Sequence, residues 1–123
     1  MRDAVQLVDR LDAVAASPAA SSSAVIRDRI RSIVVDAAGE DLTGVLLYGS
    51  RARGDARVDS DWDVAVMVRE QADLRSLRQG LSTALCRDAQ LWDSAVQTIL
   101  LRPSDMVASW GLVRNLEAEA VAL

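Results

Sequence analysis

The sequence predicts an α/β or α+β fold in which helices flank a small mixed sheet of about three to four strands. Three short apolar runs have the length and composition of buried strands. The longer segments around them carry apolar residues at three- and four-residue steps, as amphipathic helices do. With 123 residues, half of them apolar, the chain has the size and composition of one compact domain.

The chain begins with a predicted helix and a break. Residues 2–15 place apolar side chains at helical spacing with charges between them. Residues 16–23 contain a proline and three serines, which predict a linker, and Ser23 can cap the helix that follows. We therefore divide the chain into an N-terminal helix and linker, residues 1–20, and a folded domain, residues 21–123.

The folded domain is expected to start with one helix and two strands. Residues 24–38 carry isoleucine and valine at helical spacing, and Gly39 supplies a C-cap. Residues 44–48 and 63–68 are too apolar for half-exposed strands, so we predict two strands buried within the sheet.

A helix, a strand and a helical C-terminus are predicted next. Residues 70–89 carry four leucines in a helical stripe, and residues 95–101 predict a third strand. Pro103 opens a helical region whose apolar stripe extends to Val121. We interpret Trp110 in this stripe as a core residue, with an exposed surface for a partner as the alternative.

The composition excludes several classes of function. The chain has 14 basic and 18 acidic residues, a net charge of −4, so we expect no general binding to nucleic acid. It has no histidine, and its single cysteine, Cys86, is interpreted as a buried residue of a helix. A Cys/His zinc site and a histidine base are therefore excluded. No apolar run approaches ~18 residues, so we expect a cytoplasmic protein without a membrane partner.

A candidate phosphate-binding turn follows the first predicted strand. In Gly49-Ser50 the glycine lets another group approach the backbone, and Ser50 can cap the next helical turn while its amides face a phosphate. Arg51 and Arg53 follow, and arginine makes bidentate bonds to phosphate. The alternative for both arginines is pairing with nearby aspartates at the surface.

Asp61 and Asp63 are the candidate metal ligands. Because side chains alternate along a strand, the two carboxylates project from one face and Trp62 packs on the other. Two adjacent carboxylates repel each other, and a bound cation removes that conflict. With no histidine or cysteine nearby, the site favours Mg²⁺, which carboxylates hold together with substrate phosphates. The turn and the aspartates together predict a site for Mg²⁺ and a nucleoside triphosphate, with Asp61 and Asp63 catalytic through the metal.

These motifs resemble the signature of the polymerase-beta type of nucleotidyltransferase. Gly49-Ser50, ten intervening residues and Asp61-x-Asp63 before an apolar run form that signature, and the string over residues 46–66 is similar to the minimal nucleotidyltransferases of prokaryotes. The close match covers residues 45–68. The resemblance implies a nucleotidyltransferase fold in which the glycine and serine bind phosphate and the two aspartates bind Mg²⁺.

The sequence departs from the pattern of this family at one position. The resemblance implies a third carboxylate on a later strand, but Gln97 stands where that acid is expected. A glutamine brings no charge to a metal. Asp93, just before the strand, could substitute if a bend displaces the register.

The resemblance also suggests a partner and a reaction. Many minimal members resemble antitoxins paired with a HEPN-domain ribonuclease toxin, which some inactivate by transferring AMP to a tyrosine. For this chain, the resemblance implies the transfer of AMP, or of another nucleotide, from ATP or another triphosphate to a hydroxyl group of the toxin. One alternative is a weak or inactive domain that neutralises its partner by binding alone, which Gln97 favours. Another is a nucleotidyltransferase acting on small molecules, which normally has additional domains.

Overall fold

A four-stranded mixed sheet with helices around it forms the centre of the structure, as the sequence predicts. The computed structural model describes residues 18–57, 59–88, 91, 94–108 and 110–123. The elements in chain order are α1 (Pro18–Ala38), a 3₁₀ helix (Gly39–Asp41), β1 (Leu42–Tyr48), α2 (Ser50–Arg53), β2 (Trp62–Val68), α3 (Leu74–Arg87), β3 (Val96–Leu101), α4 (Pro103–Ala108), α5 (Trp110–Glu119) and β4 (Val121–Ala122).

The strands lie in the order β3-β2-β1-β4. β2 pairs with β1 in antiparallel and with β3 in parallel orientation. β4 pairs antiparallel with the other edge of β1. The connection from β2 to the parallel β3 runs through α3, as a parallel pair requires a crossover.

The two faces of the sheet are covered by different helices. One face packs on α1 and α3, and the other packs on the C-terminal helices. The first cluster includes Ile30, Val34, Trp62, Val64, Val66, Leu77 and Leu81. The second contains Ala65, Leu101 and Leu116, with Leu46, Tyr48, Met67 and Leu112 packed against it.

Successive side chains of β2 point to opposite faces of the sheet, and this alternation sets the face on which the candidate site lies. Trp62 is 3 % exposed in the first cluster, which confirms that it packs opposite the aspartates. Asp63 is half-buried and shares the second face with Ala65 and Tyr48. That face is therefore apolar along most of its length and charged at the end where β2 begins.

The first described helix begins earlier than the sequence indicates. α1 starts at Pro18, because a proline at the first helical position has no N–H to leave unpaired and a backbone angle already suited to a helix. The predicted linker is therefore wrong from residue 18 onward, and Ser23 is inside the helix. The division after residue 20 cuts α1, and the predicted helix over residues 2–15 lies outside the described residues.

Two later boundaries also differ from the prediction. α3 begins at Leu74, because the Asp73 carboxylate caps it by accepting from the Ser76 amide at 3.2 Å. Val121, predicted to end a helical stripe, lies instead in β4. Two edge-strand residues are too few to produce a periodic signal.

Trp110 and Cys86 are exposed, which makes both burial predictions wrong. Trp110 is 66 % exposed, since α5 packs through Leu112 and Leu116 on a different face. Cys86 follows Leu85, the last residue of α3 to pack against the core. None of the described helices combines the length and hydropathy needed to cross a bilayer.

Candidate functional site

The sheet brings Asp61, Asp63 and Gln97 together. Asp63 lies opposite Tyr48 across the β1–β2 pair and opposite Gln97 across the β2–β3 pair. Asp61 lies one residue before β2, and its Oδ2 accepts a hydrogen bond from Gln97 Nε2 at 3.0 Å. Gln97 therefore stands beside both aspartates. Asp93 lies outside the described residues.

Gly49 places the turn after β1 directly against Asp63. Its backbone has φ +76°, a region that side chains rarely adopt. A Cβ at this position would lie 3.2 Å from Asp63 Cγ and collide with the carboxylate oxygen Oδ2. A glycine is thus required by both the backbone angle and the neighbouring carboxylate.

Gly49 also starts the short helix α2. Its carbonyl accepts from the amides of Ala52 at 3.0 Å and Arg53 at 3.1 Å, so Gly49 is the N-cap. Ser50 is the first helical residue, which makes its predicted capping role wrong. Its predicted contact with phosphate stays a prediction.

The two arginines of this turn have different partners. The guanidinium of Arg51 lies over the Trp62 ring, 4.5 Å from the centroid, and its Nη2 donates to the Ser60 carbonyl at 2.9 Å. Arg53 is exposed and pairs with Asp55 at 3.3 Å and with Glu119 at 3.0 Å. Arg51 therefore ties α2 to the segment that carries Asp61, whereas Arg53 lies at the open side of the site.

Glu119, the last residue of α5, is a site residue that the sequence analysis missed. Its Oε1 accepts from the Gly49 amide at 3.0 Å, and its Oε2 accepts from Arg53 Nη1 at 3.0 Å. These bonds, the one from Arg53 first, lower the pKa of Glu119. No local pattern indicates this contact, because Glu119 is 70 residues from Gly49 and ends an ordinary surface helix.

The site carries an excess of negative charge around Asp63. Burial raises the pKa of Asp63, and the charges of Asp61 and Glu119 raise it further, while Arg53 opposes the rise. Burial and the charge of Asp63 also raise the pKa of Tyr48. Such a site favours the arrival of a cation.

The donor set fits a divalent ion that is shared with a phosphate. Among the residues that the structure describes, no three acidic or cysteine side chains converge on one position. Mg²⁺ is commonly held by one or two carboxylates, with substrate phosphates and water completing its shell. Asp61 and Asp63 supply such a pair, and Gln97 adds no charge to it.

Comparison with known proteins agrees with this fold. The family model for polymerase beta nucleotidyltransferases matches residues 30–106. A Sulfolobus solfataricus protein named provisionally as a nucleotidyltransferase superposes with a TM-score of 0.57 at 22 % identity, over 85 % of this chain and 84 % of that one. A toxin-antitoxin structure with AMP-PNP superposes with a TM-score of 0.57 at 23 % identity, over 77 % of this chain and 69 % of that one. No curated protein matches the sequence.

Proposed function

The chain belongs to the polymerase beta nucleotidyltransferase family, and we propose that it transfers a nucleotide from ATP to a hydroxyl group of a protein partner. The observation that carries this proposal is the contact between Gly49 and Asp63. It joins a backbone turn suited to phosphate and a pair of carboxylates suited to Mg²⁺ in one site. Either feature alone is common in proteins. A triphosphate that carries a metal ion needs both within reach, because the turn binds its phosphates and the carboxylates bind its metal.

Different residues of the chain would bind the phosphates and the metal ion of the triphosphate. The Gly49 amide and the Arg53 guanidinium donate to phosphate oxygens, for which their present carboxylate partner is a chemical analogue. Asp61 and Asp63 would hold Mg²⁺, and a bound ion would supply positive charge against the negative charge that grows on the phosphates as pyrophosphate leaves. Arg51 packs on Trp62 and thereby holds the turn at Gly49 next to the strand that carries Asp63.

The transfer is a substitution at the α-phosphorus. The acceptor hydroxyl oxygen forms a bond to that phosphorus, the bond to the bridging α–β oxygen breaks, pyrophosphate leaves, and the hydroxyl proton passes to water. We propose a tyrosine of a HEPN-type toxin as the acceptor. The likeness to a toxin-antitoxin structure with AMP-PNP supports a protein partner and an adenine nucleotide.

Label transfer tests the proposal. The purified chain is incubated with Mg²⁺, α-³²P-labelled ATP and the protein encoded beside it. We expect label on that protein, and we expect Asp63→Asn to abolish it. Asp59→Asn is the matched control, because it removes an exposed aspartate of the loop before β2 that is not among the charges acting on Asp63. Undiminished labelling by the Asp63→Asn protein would contradict the proposed site.

A second candidate function, neutralisation by binding alone, is favoured by the bond from Gln97 to Asp61. This amide stands where the sequence resemblance implies an acid, and it donates to one oxygen of Asp61, a carboxylate that we propose as a metal ligand. Neutralisation of the partner by Asp61→Asn and Asp63→Asn proteins, combined with absent labelling by the wild-type chain, would establish this second function. No observation favours a small-molecule acceptor.

A further inference from the structure

We propose that the Glu119 carboxylate competes with the nucleotide. The carboxylate occupies the position of a phosphate, and it must leave before a triphosphate binds. This inference rests on the proposed function, because it concerns the same phosphate-binding groups. It adds a residue that sets nucleotide affinity and lies far outside the sequence motif.

Glu119 accepts from a pair of donors that would also suit a phosphate. One carboxylate oxygen accepts from the Gly49 amide and the other from the Arg53 guanidinium, both at 3.0 Å. A phosphate also presents two oxygens to such a pair of donors. The carboxylate therefore uses the same hydrogen-bonding groups that we assign to the phosphate.

The charge of Glu119 also opposes the binding of a phosphate. The Glu119 carboxylate accepts from the amide of Gly49, the residue whose backbone lies against the Asp63 carboxylate, so it adds negative charge to the same site. A triphosphate arriving beside Glu119 would meet like charge as well as donors that already have acceptors. Binding of the phosphate and retention of the Glu119 contact are thus mutually unfavourable.

Glu119 is not positioned as a third metal ligand. Its carboxylate is engaged by Gly49 and Arg53, and within the described part of the chain no three acidic groups converge on a common point. Its contacts are therefore those of an anion held by donors.

The C-terminal segment, residues 119–123, joins the sheet through a two-residue edge strand, and its Ala120 and Leu123 pack against the two hydrophobic clusters. Val121 and Ala122 pair with Leu47 and Leu46 of β1, and the Leu123 amide donates to the Val45 carbonyl at 3.2 Å. Arg27 on α1 also donates to the Ala122 carbonyl at 2.6 Å. An edge strand of two residues is short enough to detach while the three-stranded remainder of the sheet stays intact.

Calorimetric titration with inorganic tripolyphosphate, with and without Mg²⁺, tests the competition directly. We compare the wild-type chain with Glu119→Gln and with Asp55→Asn. Both variants remove one carboxylate that pairs with Arg53, but only the first removes the charge held by the Gly49 amide. We expect Glu119→Gln to bind tripolyphosphate about tenfold more tightly, the scale of one charge-assisted hydrogen bond, and Asp55→Asn to stay within about twofold of wild type.

A second measurement follows the segment itself. In two-dimensional NMR spectra of the wild-type chain, tripolyphosphate should shift the amide signals of Val121 and Leu123, since binding displaces residues 119–123. Glu119→Gln should move these signals toward the bound position before any ligand is added. Circular dichroism confirms that each variant is folded.

The outcomes separate this inference from the proposed function. Equal or weaker binding by Glu119→Gln overturns the competition, whether or not the chain transfers nucleotides, and weaker binding would mean that Glu119 assists the cation. Tighter binding without label transfer supports the competition and rejects the transferase. If no variant binds tripolyphosphate, with or without Mg²⁺, the competition fails, and the label-transfer experiment then decides the proposed function on its own.

Discussion

The two halves of the candidate site differ in what they offer a ligand. The half built by β1, α2 and the start of β2 presents an amide, a guanidinium and two carboxylates, which together suit a metal-bound phosphate. The half built by β3 and α5 supplies Gln97 and Glu119, which bond to those same groups. The first half therefore presents the groups that the proposed nucleotide would use, and the second half already bonds to several of them. Ligand affinity reflects the difference between these two sets of interactions.

Gly49→Ala should have the largest effect, because it breaks the first half of the site. The new methyl group would collide with the Asp63 carboxylate at a backbone angle that alanine disfavours. We expect a loss of at least about 2 kcal/mol in unfolding free energy and loss of detectable tripolyphosphate binding. Urea denaturation and calorimetry measure these quantities.

Gly54→Ala is the matched control for that substitution. Gly54 also has a positive φ, +86°, but nothing lies within 4 Å of an added Cβ. The Gly54→Ala protein should lose only the unfolding free energy that a positive φ costs an alanine, about 1 kcal/mol, and it should still bind tripolyphosphate. Equal effects of the two variants would show that contact with Asp63 is unimportant.

Arg51→Met should have the next largest effect and should separate the two arginines. Arg51 packs on buried Trp62 and bonds to the Ser60 carbonyl, so its loss should cost about 1–2 kcal/mol in unfolding free energy. Arg53→Met should leave the free energy of unfolding nearly unchanged, because the side chain is exposed, but should weaken tripolyphosphate binding. The reverse pattern in denaturation and titration would mean that Arg51 is the phosphate ligand.

Gln97→Glu tests the other half of the site. A third carboxylate beside Asp61 and Asp63 adds repulsion that a cation relieves, so we expect lower stability without Mg²⁺ and a larger rise in melting temperature when Mg²⁺ is added. Gln79→Glu, on the exposed surface of α3, makes the same chemical change away from the site. A Mg²⁺ response equal to that of the Gln79 variant would contradict a metal position beside Gln97.

The first half of the site was predictable from sequence because it is local. Gly49, Asp61 and Asp63 lie within fifteen residues of one another, and strand alternation together with a glycine turn fixes their approach. The position of Gln97 beside Asp63 also agrees with the expected register. Glu119 could not be predicted, because its contact depends on β4 pairing with an edge of β1. The different environments of Arg51 and Arg53 depend on the fold of the loop that precedes Trp62.

The smallest expected effect is the pH dependence of the Glu119 contact. Hydrogen bonds from Arg53 and Gly49 lower the pKa of Glu119, while Asp63 and Asp55 lie nearby as like charges. A carboxylate with a lowered folded pKa adds stability above its unfolded pKa, about 4.3 for glutamate, and loses that contribution as pH falls through the folded value. We therefore expect wild type to melt at a higher temperature than Glu119→Gln near neutral pH, with the difference shrinking below about pH 4. Glu70 and Asp105 also have lowered pKa values, but they are present in both proteins and cancel in the comparison. A difference that stays constant down to acidic pH would show that packing, and not the charge of Glu119, holds the C-terminal segment against the turn at Gly49.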